Sequence, residues 1–572
     1  MPDPKILKIP FTVDVLSAWA AERPEHTNWP VVYTINDDNE IYVGETTNAE
    51  LRMRQHLSSP TKSQLKIASF IVDASYNKSV CLDLESHLIR YFAADEKYLV
   101  LNGNGGITDA DYFNRVEYRE SFEAIFEELV ASGNLTRSIP DIVNSDLFKY
   151  SPVKALTNDQ AIAIEGVLEQ LFDEIDSGVS NPIVIQGDPG TGKTIVAVYL
   201  IKLLQDIARS HTDETLDADS LFADFFQAGF REKVADMKIG IVVPQLSLRE
   251  TIKKVFGRTP GLSKSMVMTP FDVGGSDETF DLLIVDEAHR LQQRSNQPAA
   301  MLNKKFKSNN EKLFGSDEYS FTQLDWIQAK SKHQIYLLDQ AQTVKPADLP
   351  QSVIKRLVDT AKTNGSFFSL TSQMRVSGGA DYIEFIYKLL HGDQVSPSHS
   401  FGTYDLRFFT SFEELRSQIV KRESELGLAR LVAGFAWPWV TRNGAEFDFE
   451  IEGVPLSWNR TNSDWINSGT SIDEVGSIHT TQGYDLNYAG VIIGPDLGFD
   501  PATSKLLFRR ENYHDKKGRE NNNFLDVQYS DDDLLQYVLN IYRVLLTRGI
   551  RGTYVFVSDP ELREHLSKFF PM

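Results

Sequence analysis

Gly187 to Thr194 read GDPGTGKT, which satisfies G-x-x-x-x-G-K-[ST] at every fixed position. Ile183-Val184-Ile185 before it has the pattern of a short buried strand, and Val196, Leu200, Leu203, Leu204 and Ile207 after it recur at helical spacing. Strand, glycine turn and helix in that order constrain the chain to an α/β arrangement with a polyphosphate cradle at the strand end. Backbone N–H groups of Gly187, Gly190, Thr191 and Gly192 would turn inward, and the helix N-terminus would add its positive dipole end. Lys193 would reach the β- and γ-phosphates of ATP, and the Thr194 hydroxyl would hold Mg²⁺. The plainer reading is an ordinary glycine turn before a helix. The strand and helix on either side argue against it.

A second stretch supplies what such a cradle needs. In Asp281-Leu282-Leu283-Ile284-Val285-Asp286-Glu287-Ala288-His289 an apolar strand delivers two carboxylates at its C-terminal end, where parallel sheets place their ligand sites. Asp286 would bind Mg²⁺ through water, and Glu287 would orient or deprotonate the attacking water.

The 572 residues suggest about four domains of ~150 residues each, and 41% hydrophobic with 24% charged residues is an ordinary globular balance. A single cysteine, Cys81, excludes a disulfide framework and a cysteine-rich zinc site. The opening MPDPKILKIP has no apolar signal core and no long uncharged apolar run follows, so the expectation is a cytoplasmic protein with no membrane contact. The net charge of −22 has the wrong sign for a nucleic-acid binder. Any such surface is therefore expected in a confined groove, with weak long-range steering.

The N-terminal stretch has a different chemistry. Val31 to Ile35 and Ile41 to Val43 read as two strands around the turn cluster Asn36-Asp37-Asp38-Asn39. Pairing Ile35 with Glu40 would set Tyr33 opposite Tyr42, with both phenols on one face. Gly44 follows, and Arg52 and His56 lie four apart on one face of a helix. In CLDLESHLIRYF the apolar stripe Cys81, Leu84, Leu88, Ile89, Phe92 contains Glu85. A carboxylate there is costly unless it is paired or binds a metal. Asp83 falls off the stripe and reads as solvated. A glycine-rich loop, Leu101-Asn102-Gly103-Asn104-Gly105-Gly106, comes next.

Residues 29 to 106 resemble the GIY-YIG nuclease family: Val31-Val32-Tyr33 stands at the first signature, keeping only its tyrosine, and Tyr42-Val43-Gly44 at the second. Arg52, His56, Glu85 and Asn102 fall at that family's arginine, histidine, metal-binding glutamate and asparagine. The resemblance implies phosphodiester cleavage with one Mg²⁺ or Mn²⁺ on Glu85 and a tyrosine, Tyr33, activating water with Tyr42 or His56 as partner. A phenol pKa of ~10 would need lowering by Arg52 and the metal, and Arg52 would stabilise transition-state charge. Taken singly, paired tyrosines are packing, and Arg52 with His56 is a solvated helix face. The degenerate first signature leaves open a copy that only binds.

Several further stretches follow one another. They are Leu156 to Gln160, Ile239 to Ser247, Met266 to Pro270, Ile335 to Gln342, Leu370 to Arg375, Gly476 to Asp485 and Asn540 to Gly549. The order Gln160, Lys193, Asp286, Gln342, Arg375, Thr481, Arg548 resembles a superfamily 1 helicase. The wording of IHTTQGYD and VLLTRGIRG is similar to the Schlafen group 3 helicase domain of bacterial proteins, over about residues 151 to 560. The resemblance implies Gln160 on adenine, Gln342 as γ-phosphate sensor and Arg375 and Arg548 as arginine fingers. It also implies Thr269 on nucleic-acid phosphate, and Thr480, Thr481 and Gln482 on nucleic-acid phosphates and the γ-phosphate. Trp437 and Trp439 would stack bases or pack in a core. The loop Arg509 to Lys517 would contact a strand or be solvated.

The expected layout is a GIY-YIG-like α/β domain over 1–110 and a helical linker over 111–150. Two RecA-like parallel-sheet lobes follow, over 151–365 and 366–572. The expected function is an ATP-dependent translocase or helicase on nucleic acid, taken to be DNA, carrying a metal-dependent endonuclease and serving bacterial anti-phage defence. The alternative is an ATP-gated DNA-binding switch, or a repair helicase, whose nuclease-like domain does not cut.

Overall fold

Short β-branched runs alternate with amphipathic helices along the chain, and the strands gather into four sheets among the described residues. The computed structural model describes residues 4–22, 27–102, 112–152, 156–210, 222–339, 342–392, 400–461, 464–481 and 484–571. The expected glycine loop at 103–106, Gln340, Ala341, Gln482 and Gly483 lie outside these. The chain divides into two compact units, one formed by Met1–Ile162, Val198–Ala235 and Lys254–Lys264, the other by the remainder.

The first unit holds β1 (Lys5–Pro10), β2 (Val31–Asn36), β3 (Glu40–Thr46), β4 (Ile67–Val72) and β5 (Leu99–Val100), in the order β1-β4-β2-β3-β5. All pairings are antiparallel except β3 with β5. Val31, Tyr33, Ile35, Phe70 and Met53 form its core. The helix Lys78–Asp95 buries Cys81, Leu84, Leu88, Ile89 and Phe92, the stripe read from the sequence.

Asp83 departs from expectation, because it is buried (5% exposed) rather than solvated. Its carboxylate accepts both Nε and Nη2 of Arg119 at 3.0 Å and the Tyr112 hydroxyl at 2.9 Å. Twelve residues on, Asp95 accepts the backbone N–H groups of Thr136 and Arg137 at 2.9 Å. These two anchors hold the segment read as a linker against this helix, and Tyr91 packs on Phe126 with ring centroids 4.6 Å apart. Burial would raise the Asp83 carboxyl, but hydrogen bonds from His87 and Arg119 outweigh it and hold the group well below the carboxylate range. A depressed folded-state pKa gives stability that is complete above the unfolded value of ~3.9 and is lost progressively below it, as pH falls through the depressed folded-state value. Asp83→Ala is expected to cost ~2–4 kcal/mol, read by denaturant melts. The deficit should shrink below about pH 4, where the carboxylate of the unfolded chain begins to protonate while the native one stays ionised.

The second unit contains two parallel sheets. In the first lobe, β6 (Pro182–Gly187), β7 (Ile239–Val242), β8 (Val267–Met268), β9 (Phe280–Val285), β10 (Ser331–Leu338) and β11 (Phe367–Leu370) are ordered β11-β6-β10-β9-β7-β8. Because β11 pairs in parallel with β6, from Phe367↔Val184 to Leu370↔Gly187, the first lobe runs past the expected boundary at 365. In the second lobe come β12 (Asp405–Phe409), β13 (Ala429–Ala433), β14 (Phe449–Ile451), β15 (Val454–Trp458), β16 (Glu474–Ser477) and β17 (Leu486–Ile493). The hairpin β18 (Leu497–Asp500) and β19 (Lys505–Phe508) precedes β20 (Gly549–Val557). The second sheet has the order β12-β20-β17-β13-β16-β15-β14, parallel but for β14 with β15. These are the two RecA-like lobes. No described helix is long and apolar enough to cross a membrane.

Candidate functional site

In the first unit, β2 and β3 pair Tyr33 with Gly44 and Ile35 with Tyr42. The expected register, Tyr33 opposite Tyr42, is therefore off. Asp37, not Asn36, opens the turn, its Oδ1 accepting the Asn39 and Glu40 N–H groups at 2.8 and 2.7 Å. The loop shifts one residue along, and the phenols become diagonal neighbours on the same face, with ring centroids 6.2 Å apart. The Tyr33 ring lies across Gly44. A Cβ there would sit 2.3 Å from the phenol oxygen, so only glycine fits. The second signature's glycine thus makes room for the first signature's tyrosine.

Tyr33 is fully buried, and its hydroxyl lies 2.7 Å from Nε2 of His56 on the helix Ala49–Leu57. His56 also meets Tyr42 edge-on at 4.9 Å, and Lys62 Nζ sits 3.7 Å over the Tyr42 ring. Burial lowers the His56 imidazole to about 3, with Lys62 and Arg52 adding to the effect. The ring is therefore neutral and can accept a hydrogen bond from the Tyr33 hydroxyl. Burial and the neighbouring Tyr42 push the Tyr33 phenol well up, and Arg52 reverses this only in part. The lowering expected from Arg52 is present but outweighed. Glu85, half-buried on the helix Lys78–Asp95, raises both phenols through its charge and so faces the same constellation. Asn102 fixes β3 from the side, its Oδ1 accepting the Val43 N–H at 3.0 Å and its Nδ2 donating to the Val43 carbonyl at 2.8 Å.

In the second unit, β6 ends in the glycine loop and the helix Lys193–Arg209 begins at the lysine. Gly190 and Gly192 adopt φ of +91° and +82°, the left-handed region that lets the loop close. Lys193 Nζ donates to the carbonyls of Gly187 and Asp188 at 2.7 and 3.1 Å. The Thr194 hydroxyl donates to Oδ2 of Asp286 at 2.7 Å, so the two sequence motifs meet in one site. Asp286 is wholly buried. Burial and the adjacent Glu287 raise its carboxyl to about 7, against the pull of Thr194 and Lys193.

Glu287 adopts φ +50°, turning its carboxylate toward His289, whose Nε2 lies 3.1 Å from Glu287 Oε2. Burial would raise Glu287, but His289, Lys193 and Arg290 together hold it well below its usual value. His289 Nδ1 accepts the Asp339 N–H at 3.2 Å, so its proton sits on Nε2, facing Glu287. Asp339, at the end of β10, in turn accepts Gln342 Nε2 at 2.7 Å. The sequence names no role for His289 or Asp339, although both lie inside the stretches it marks.

The segment that follows β11 reaches this site. Met374 N–H donates to Gly190 O at 2.9 Å and Gln373 Nε2 to Pro189 O at 2.7 Å. Arg375 pairs through Nε with Asp485. Arg548 is buried and its Nη1 donates to the Tyr484 carbonyl at 3.2 Å. In the first unit, Gln160 is buried and its Oε1 accepts the Thr157 N–H at 3.1 Å.

Other expected contacts turn inward. Thr269 caps the helix Pro270–Gly275. The Thr480 and Thr481 hydroxyls donate to the Ser477 carbonyl at 3.0 Å. Trp437 stacks on Phe449 at 4.5 Å within an aromatic cluster, which favours packing over base stacking. Arg509, Arg510 and Lys517 pair with Asp559, Asp531 and Glu520, and Tyr513 is buried. Between the lobes lies a cavity of about 110 Å³ bordered by Gln245, Arg290, Lys345, Asp348 and His479. Its cations outnumber the one carboxylate.

Strand ends facing one glycine loop, two largely parallel sheets and a tyrosine-bearing hairpin define the class: a GIY-YIG domain joined to a helicase-type pair of lobes. Residues 30–98 match the GIY-YIG catalytic domain. Residues 180–559 match the Schlafen group 3, DNA/RNA helicase domain, and the chain belongs to that family. An uncharacterised protein of Saccharomyces cerevisiae is 25% identical over 403 residues, 67% of this chain and 83% of its own length. Among solved structures, the chain is similar to the arterivirus nonstructural protein 10 helicase in complex with DNA, at 13% identity and TM-score 0.28, over 71% of this chain and 65% of that one. It is also similar to Bacteroides Pif1 bound to ssDNA, at 11% identity and TM-score 0.24, over 69% and 93%.

Proposed function

We propose that this protein is an ATP-driven nucleic-acid motor carrying a metal-dependent endonuclease, with DNA as substrate and defence against phage as its setting. The observation that carries the reading is the Thr194–Asp286 hydrogen bond, which joins the glycine loop to the acidic strand end in one site. The residues fit a nucleotide with Mg²⁺. Lys193 occupies backbone carbonyls it can exchange for phosphate oxygens, and Thr194 and Asp286 present adjacent hydroxyl and carboxylate oxygens of the kind Mg²⁺ takes. When bound, the ion supplies neutralisation of phosphate charge. Glu287, depressed and held by His289, is the ionised group that orients or deprotonates the attacking water. Gln342, on Asp339 beside His289, senses the γ-phosphate and passes its state to the second lobe. The cavity with Arg290, Lys345 and His479 suits a strand's phosphates and is the confined cationic groove that a −22 chain requires.

For the nuclease, Glu85 is a single carboxylate, and no three acidic, histidine or cysteine groups converge among the described residues. That donor set fits Mg²⁺ or Mn²⁺ completing its shell with water and substrate phosphate. Neutral His56 accepts a hydrogen bond from the Tyr33 hydroxyl and holds that phenol as the partner of the attacking water, and Arg52 stabilises the charge that develops on phosphate.

A second reading is favoured by one observation: Tyr33 is sealed at 0% exposure and its phenol is raised, as in a domain that only grips DNA. Labelled single- and double-stranded DNA incubated with Mg²⁺, with and without ATP, separates the two. Cleavage supports the first reading, and binding without cleavage supports the second.

A further inference from the structure

The helix Asp531–Leu546 turns one polar face toward the first lobe. Asn540 and Arg543, three apart, share that face. Asn540 Nδ2 donates to the Thr343 carbonyl at 2.8 Å, one residue beyond the sensor Gln342. Arg543 Nη2 lies 3.6 Å from Oδ1 of Asp188, the residue after the first glycine of the phosphate loop. Arg543 is 4% exposed, its guanidinium is 5.2 Å from the Tyr387 ring centroid, and its Nε and Nη1 are buried without a hydrogen-bond partner. A guanidinium buried with two idle donors is costly. Here it is aimed at a loop shaped for anions. Asp188 links the two cations, since its carbonyl also accepts Lys193 Nζ.

We propose that Arg543 is a catalytic residue of the ATPase, reaching across from the second lobe to the γ-phosphate, with the Asp188 carboxylate standing in for that phosphate when no nucleotide is bound. This rests on the phosphate-loop reading above. Its planar fork can take two phosphate oxygens at once, which satisfies the idle donors. The swap of Asp188 for phosphate ties the position of the helix Asp531–Leu546 to the presence of the third phosphate. ADP, lacking it, leaves Arg543 on Asp188.

The test compares wild type, Arg543→Gln, Arg543→Lys and Lys193→Ala, each first checked by thermal melting without nucleotide. Affinities for ADP and for a non-hydrolysable ATP analogue are measured at equilibrium, together with ATP turnover. The expected result is that both Arg543 variants bind ADP as wild type does, while Arg543→Gln loses ~10-fold or more in preference for the ATP analogue and ~10³-fold in kcat. Arg543→Lys, which keeps charge but not the fork, should rescue only part of the loss. Asp188→Asn, which frees the guanidinium, should raise analogue affinity in the wild-type background and have no such effect with Arg543→Gln. An unchanged analogue-to-ADP ratio with kcat within threefold of wild type in Arg543→Lys overturns the inference, even if Arg543→Gln fails to fold. If Lys193→Ala binds both nucleotides like wild type, the phosphate-loop reading fails as well, and the two failures are told apart.

Discussion

Lys193→Ala is expected to fold normally and to lose ATP turnover by at least ~10²–10³-fold. The side chain makes its two hydrogen bonds to carbonyls of its own loop, so its removal leaves the β6-to-helix connection otherwise intact. The lost function is the positive charge where negative charge gathers on the transferred phosphoryl group. A steady-state phosphate-release assay reads the rate, and melting reads the fold. Turnover at the wild-type level would refute the site. Cleavage in the absence of ATP should survive this change, because the nuclease residues lie in the other compact unit.

The converse holds for Glu85→Ala, expected to reduce phosphodiester cleavage by at least ~100-fold while leaving ATP hydrolysis untouched. Among the described residues, Glu85 is the carboxylate whose charge raises both Tyr33 and Tyr42. Without it the proposed ion loses that ligand, and the phenols lose a charge that raises them. Loss of the metal and easier ionisation of Tyr33 therefore oppose each other. If cleavage persists in the variant under Mg²⁺, the base chemistry does not need that ion and the assignment is wrong. If Glu85→Ala still binds DNA as wild type does, the lesion lies in chemistry and not in grip.

What the sequence discloses and what it hides divide along one physical line. The glycine loop and the Asp286-Glu287 strand end are legible because their geometry is set by residues adjacent in the chain. So is the stripe Cys81, Leu84, Leu88, Ile89, Phe92, a property of one helix. Asp83 is misread because its partners Tyr112 and Arg119 lie 29 and 36 residues away on other elements. The hairpin register is missed by a single residue at each end, since turn-forming residues fill 36 to 39 and only the Asp37 hydrogen bonds decide where the turn begins. Thr480 and Thr481 look like phosphate contacts, but the short helix they occupy folds their hydroxyls back on Ser477. Arg543 carries no mark in the sequence that separates it from Arg548. Only the helix face toward Asp188 does so.

The tying-up of Arg509, Arg510 and Lys517 by neighbouring acids has a kinetic corollary. If the proposed cleft takes nucleic acid, a polyanion drifting toward this molecule should meet repulsion first and find attraction at short range, inside that cleft. Raising ionic strength from ~10 to ~100 mM shrinks the repulsive halo from ~30 to ~10 Å while sparing the close contacts. Stopped-flow capture of a fluorescent oligonucleotide should therefore quicken over that range before it slows. A rate that only falls would mean that some outward-facing basic surface, not the cleft, makes the first encounter.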